Sequence, residues 1–214
     1  MLDRQQRGRN ERLQQRGGDG RHCQQREGDV VVLPVNLDAA HVTGVFTIGH
    51  GTRPAEELVA CLQEAKVETL VDVRRFPGSR RNPQFGQTAL AEALERAGIA
   101  YRHAEELGGR RSRELGEERF SCIRVAAFRS YAARMGTDAW QQALAAALAE
   151  PTPCFMCAET LWTRCHRRLI AELLVARGHH VTHLIRPGRQ EPHRLYDESE
   201  VRGGRLYLCG AEVA

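Results

Sequence analysis

The stretch Pro153 to Ile170, PCFMCAETLWTRCHRRLI, constrains this chain most. Its apolar run Cys154, Phe155, Met156 and Cys157 gives way to polar and cationic residues, and Leu169, Ile170, Leu173 and Leu174 then recur at helical spacing. That order predicts a buried strand, a loop and an amphipathic helix. Open α/β sheets place ligands in the loops at the carboxyl ends of their strands, so the three cysteines, Glu159, His166 and the arginines here fall where chemistry is expected.

The same alternation runs through the rest of the chain. Val45 to Ile48 reads as a strand ending at Gly49-His50-Gly51-Thr52, and a helix follows to Lys66 with Thr52 as its cap and Pro54 just inside its start. Leu70 to Val73 is a second strand, which makes a βαβ unit expected to pair in parallel. A helix over Thr88 to Ala97 stops at Gly98, and Ile99 to Tyr101 form a third strand. Helical spacing covers Glu117 to Met135 and Thr137 to Ala149, with Gly136 and Thr137 as stop and cap; Val181 to Ile185 is a further strand. These elements predict one α/β domain over 42–214, an open three-layer α/β/α sandwich with a mainly parallel sheet. The tail from Arg186 is rich in Pro, Gly and Arg and reads as irregular, apart from a β-like run at Leu206 to Cys209.

Residues 1–41 are rich in Arg, Gln and Gly, with almost no apolar periodicity before Val30, and read as a disordered leader. A nucleic-acid-binding arm is the functional alternative. Residues 1–28 hold seven arginines against four acids and so supply +3 of the net charge of +4, which leaves the body near neutral. Global charge therefore says little about partners. No apolar run approaches the roughly 18–20 residues that span a bilayer, so the expected setting is the cytoplasm, away from membrane. Seven cysteines, an odd number unevenly spaced, read as reduced thiols and not as a disulfide framework, with Cys61, Cys122 and Cys209 as small buried hydrophobes.

Three chemistries compete for the remaining residues. Cys154, Cys157, Cys165 and His166 offer soft metal ligands, but side chains three apart on a strand point to opposite faces, which separates Cys154 from Cys157 and argues against a metal knuckle. Cys157 and Cys165, beside His166 and a helix start, suit thiolate chemistry or simple packing beneath the loop. Asp72, inside the apolar run Leu70 to Val73 and followed by Arg74, is either a structural pin or an acid/base group; Glu159 raises the same choice. Arg74, Arg80, Arg129 and Arg167 are expected to converge on an anionic ligand such as phosphate, and Phe85, Tyr131 or Trp162 to stack a base or to pack. No Walker lysine motif or GxGxxG occurs, and no cofactor is indicated.

TIGHGTR, LVDVRRFPGSRRNPQF, YRHAEELGGRR, FRSYAARM and MCAETLWTRCHRRLIAELL, in this order, resemble the family numbered 488 among the domains of unknown function. The resemblance rests on Gly49 and His50; on Asp72, Arg74, Pro77, Ser79 and Arg80; on Arg129 and Tyr131; and on Cys157, Ala158, Glu159, Cys165, His166 and Arg167. Ser130 replaces the usual glycine, and Cys154 lies outside the pattern. The resemblance implies an α/β fold with a shared polar site, and for some members an association with DNA repair. Asp-Val-Arg followed by Pro-Gly is also similar to rhodanese sulfurtransferases, but their Cys-x-x-Gly-x-Arg loop has no counterpart here.

The leading expectation from these residues is a hydrolase acting on nucleic acid, with DNA or a phosphorylated small molecule as partner and a DNA-glycosylase-like reaction. Asp72, Glu159, His50 and His166 would serve proton transfer, and Arg74, Ser79, Arg80, Phe85, Arg129, Tyr131 and Arg167 would hold the substrate. The alternatives are a thiol or redox enzyme using Cys157 and Cys165, and an anion-binding module without catalysis.

Overall fold

The computed structural model describes residues 44–78, 81–109, 114 and 116–214. The expected leader over 1–41, together with Ser79 and Arg80, lies outside the described residues.

Five strands are parallel: β1 (Val45–Gly49), β2 (Thr69–Asp72), β3 (Ala100–His103), β4 (Pro153–Cys157) and β5 (Val181–Arg186). With antiparallel β6 (Arg189–Pro192) they form a sheet ordered β3-β2-β4-β1-β5-β6. The expected βαβ unit is therefore not a hydrogen-bonded pair. β4 lies between β1 and β2, with Gly49 beside Cys157 on one side and Asp72 beside Met156 on the other.

Helices cover both faces. α1 (Ala55–Glu64) and α2 (Gln87–Arg96) pack Leu58, Leu62, Leu90 and Leu94 against Ile48, Leu70, Cys154, Met156 and Leu184. α3 (Ala126–Met135), α4 (Asp138–Leu148) and α5 (Arg167–Ala176) pack Tyr131, Trp140, Leu144, Ile170 and Leu174 against Val45, Val71, Phe155, Cys157 and Val181. The chain is an α/β sandwich of three layers. β4 is buried at all five positions, as its apolar run requires.

Cys154 joins one core and Cys157 the other, the separation that strand geometry demands. The chain leaves β1 for α1 on one face and leaves β4 for α5 on the other. These adjacent strands thus form the switch point at which open sheets build their sites.

Three expectations are corrected. Glu117 to Met135 is not one helix: a 3-10 turn over Glu117–Phe120 is followed by non-helical chain, and Val125 is extended before α3 begins. Thr52 does not cap α1, whose N-cap position is Pro54, whereas Thr137 does cap α4 by accepting from Trp140 N. The tail is not irregular, since β6 completes the main sheet and β7 (Ser199–Arg202), β8 (Arg205–Leu208) and β9 (Ala211–Glu212) form a second, antiparallel sheet.

Cys122 and Cys209 are also misread as small buried hydrophobes. Cys122 is exposed, and the two residues are joined by a disulfide, with their Cα atoms 5.6 Å apart, that ties the turn after β8 to the segment before α3. Because the bond closes a loop across 87 positions of sequence, opening it by reduction or by Cys122→Ser with Cys209→Ser is expected to lower unfolding stability by about 2–4 kcal/mol. Urea melts with and without reductant measure the difference; coincident melts would show that the bond contributes nothing.

Candidate functional site

The loops after β1 and β4 are zipped together at the switch point. His50 N donates to Cys157 O and Gly51 N to Ala158 O, each at 3.0 Å. Two glycines make this approach possible: a Cβ on Gly49 would collide with the Glu159 carbonyl oxygen, and one on Gly51, whose φ is +53°, with the Thr160 hydroxyl. The cleft is thereby filled by side chains that sort into two buried clusters.

The first cluster is built on Asp72, which is fully buried at the end of β2. Arg74 grips it with its own backbone N–H (3.0 Å), with Nε (2.8 Å to Oδ1) and with Nη2 (2.5 Å to Oδ2). Tyr101 O–H donates to Oδ2 at 2.8 Å. Arg74 Nη1 in turn donates to Phe85 O at 2.9 Å and meets His50 Nε2 at 3.3 Å. Since guanidinium only donates, His50 Nε2 accepts and its Nδ1–H donates to Gly51 O, at 2.9 Å. Burial, with Arg74 beside the ring, lowers the His50 pKa to about 4 and keeps the imidazole neutral. The ring also stacks on Phe85, centroids 4.3 Å apart.

The second cluster lies at the end of β4 and the start of α5. Cys157 Sγ, Cys165 Sγ and His166 Nδ1 all lie within 4.8 Å of one another, with the nitrogen 3.8 Å from Cys157 and 3.7 Å from Cys165. The Tyr131 ring stands 5.0 Å from the imidazole, and the Gly109 backbone is pressed against it so closely that a Cβ there would collide with Nδ1. Arg167, 1% exposed, donates to Cys165 Sγ (3.4 Å), to Glu159 O (2.5 Å) and to Thr47 Oγ1 (3.3 Å). None of these partners is a carboxylate. A buried cation without a carboxylate favours an anion on the sulfur it touches.

The two thiols are driven apart in acidity. A hydrogen bond from Cys157, then His166 and Arg167 alongside, hold the Cys165 thiol well below its ordinary pKa; the same hydrogen bond, with burial, pushes Cys157 well above it.

The family match covers residues 54–174, which span α1 to α5, and the description it carries is domain of unknown function DUF488. The chain belongs to this family. No curated protein and no solved structure matched the chain. Among the described residues, no helix is long and apolar enough to cross a membrane.

In this DUF488 chain the expected site residues separate by position. Asp72, Arg74, His50 and Phe85 form the first cluster, and Cys157, Cys165, His166, Arg167 and Tyr131 the second. Glu159 does not pair with Asp72: it is exposed, and its carboxylate accepts from Leu161 N at 3.3 Å. Arg129 does not converge on the site, because its guanidinium ties down Ile123 O at 2.9 Å. Phe85 is fully buried and stacks on His50, so it is closed to a base, and Tyr131 is buried with its hydroxyl donating to Leu107 O at 2.8 Å. Of the arginines expected to converge on a ligand, the described ones, Arg74, Arg129 and Arg167, are used internally.

Sequence reasoning missed a buried chain of polar groups behind the thiols. Arg167 donates to Thr47 Oγ1, whose hydroxyl is 2.7 Å from His183 Nδ1; His183 Nε2 is 3.0 Å from His193 Nδ1, and His193 Nε2 is 3.5 Å from Glu172 Oε1. Because the guanidinium only donates, Thr47 accepts from Arg167 and donates to His183 Nδ1, and His183 Nε2–H donates to His193 Nδ1; His193 Nε2 lies near Glu172 but makes no hydrogen bond among the described residues. Burial, with His193 and Arg167 nearby, lowers the His183 pKa to about 3. Trp162 stacks on His183 with ring centroids 4.1 Å apart. The missed signal was His183, a buried ionisable residue in the middle of β5, whose other ionisable residue, Arg186, stands at the exposed end of the strand.

Proposed function

We propose that this protein is a dithiol enzyme in which Cys165 is the reactive thiolate and Cys157 its partner. The observation that carries the reading is the Arg167 guanidinium, buried with no carboxylate partner among the described residues and donating to the Cys165 sulfur. The start of α5 adds positive potential beside the same sulfur. In the reaction, the Cys165 thiolate attacks one sulfur of a substrate disulfide, forming a mixed disulfide while the substrate's other sulfur leaves as a thiolate. Cys157, giving up its proton, then attacks the Cys165 sulfur and expels the second substrate thiolate. The protein ends as a Cys157–Cys165 disulfide, oxidised by two electrons, and the substrate as two reduced thiols.

Hydrolysis of nucleic acid would rest on Glu159 alone, since both oxygens of Asp72 are occupied by Arg74 and Tyr101. Geometry favours the thiol chemistry for that reason. The cytoplasm would keep Cys157 and Cys165 reduced, and would act on the Cys122–Cys209 bond in the same direction.

Alkylation with a small haloacetamide at pH 6, mapped by mass spectrometry, tests the proposal. Cys165 is expected to label at least tenfold faster than free cysteine, while Cys61 and Cys154, whose thiols burial pushes up, stay unlabelled. Arg167→Gln should abolish the advantage. A Cys165 rate equal to that of free cysteine at this pH would end the reading.

A further inference from the structure

Two sulfurs and an imidazole nitrogen facing one point are also a ligand set. A tetrahedral ion with metal–sulfur bonds of about 2.3 Å and metal–nitrogen bonds of about 2.0 Å places neighbouring ligand atoms about 3.5–3.8 Å apart. His166 Nδ1 already stands 3.8 Å from Cys157 Sγ and 3.7 Å from Cys165 Sγ. We propose that Cys157, Cys165 and His166 bind one divalent transition-metal ion of the zinc class, leaving a fourth tetrahedral position for water. The proposal deepens the dithiol reading, because the same two sulfurs would serve either the ion or the exchange reaction.

The donors select the metal. Thiolate and imidazole suit zinc, whereas magnesium and calcium require oxygen ligands. Two thiolates balance the charge of a divalent ion, and the Arg167 Nε–H bond to Cys165 supplies an outer-shell donor to a ligating sulfur. The imidazole is held for the purpose: the Gly109 backbone lies against Nδ1 and Cγ and the Tyr131 ring lies 5.0 Å away, which keeps Nδ1 on the sulfurs. Cys154 takes no part, since it belongs to the core on the other face of the sheet. Among the described residues no other histidine, cysteine or carboxylate joins the group, which leaves the site open in the manner of catalytic zinc centres. Bound metal and the Cys157–Cys165 disulfide exclude one another, so the ion would hold the dithiol silent until it is released.

Untagged full-length protein, purified without chelator, is assayed for metal by elemental analysis. After chelation and removal of chelator it is titrated with cobalt(II). The expected result is one zinc per chain and, at one equivalent of cobalt, a sulfur-to-cobalt charge-transfer band with the intense visible bands of tetrahedral cobalt. Cys154→Ser should keep both. Cys157→Ser and His166→Ala should weaken cobalt binding by more than the roughly 10–100-fold that loss of an outer-shell partner costs.

Absence of the charge-transfer band in the wild-type protein with its thiols reduced would overturn the proposal without any variant needing to fold. The dithiol reading is judged separately, by alkylation of the metal-free protein. Fast Cys165 labelling with no cobalt band removes the ion and keeps the thiol enzyme; the band with ordinary labelling does the reverse.

Discussion

Asp72→Asn is expected to lower the free energy of unfolding by about 3–5 kcal/mol, read as a shift of the urea midpoint at neutral pH. The reason lies in what surrounds the carboxylate. Arg74 is 5% exposed and its side chain is fixed by three partners: Asp72, Phe85 O and His50 Nε2. An amide cannot reproduce the carboxylate, because at either oxygen position its N–H group would confront N–H groups of Arg74, which only donate. The substitution therefore strands a buried cation as well as two hydrogen bonds. A double variant, Asp72→Asn with Arg74→Met, should recover part of the loss, since the stranded charge is the main cost. Equal or additive losses in the double variant would refute the charge argument, and a loss below about 0.5 kcal/mol in Asp72→Asn would refute the structural pin itself. These contacts are those of a structural pin, one of the two roles the sequence left open for Asp72.

That choice illustrates what was legible. The five parallel strands and α1, α2, α4 and α5 follow from periodicity, because each must bury one face or two and the residues record it. β4 with five buried positions and the opposite facing of Cys154 and Cys157 are direct consequences of strand geometry. The neighbours of a strand are another matter: nothing in β1 or β2 alone says that β4 will lie between them, since its apolar surface would serve at any interior position.

Of the tail strands, β8 was legible as the run Leu206 to Cys209, but β6, β7 and β9 were missed because they are short and polar, with no buried apolar alternation to mark them. Their turns did carry a signal. Gly203 and Gly204, with φ of +56° and +78°, form the two-residue loop of the β7–β8 hairpin, and Pro187-Gly188 turns β5 into β6. At the site, residue types were legible but their assignments were not. The sequence puts Arg74 and Arg167 near a cleft, yet cannot tell a guanidinium that awaits phosphate from one already committed to Asp72 or to a thiol.

Mild acid should destabilise this protein well before its carboxylates titrate. His50 and His183 are 2% and 1% exposed, and both are held neutral, with pKa values of about 4 and about 3 against 6.5 for an unburied imidazole. His50 faces Arg74, Asp72 and Arg167; His183 faces His193 and Arg167, with Trp162 stacked on its ring. A depressed pKa means that the unfolded chain binds protons first, so stability is complete above about pH 6.5 and falls as the pH drops toward 4. Between pH 7.5 and pH 5 each histidine forfeits about 2 kcal/mol, or about 4 kcal/mol together. Protonation of His183 also places a donor on Nδ1 opposite the Thr47 hydroxyl, which must then turn from donor to acceptor while still receiving Arg167. The polar chain behind Cys165 is broken at its second link, and the loss of fold and of thiol activation should coincide. Urea midpoints measured from pH 7.5 to pH 5 test this, with His50→Asn, which retains a donor for Gly51 O, expected to remove about half of the slope. A midpoint flat across that range would show that neither imidazole is held neutral, and with it the protonation pattern assigned to the first cluster and to the polar chain would fall.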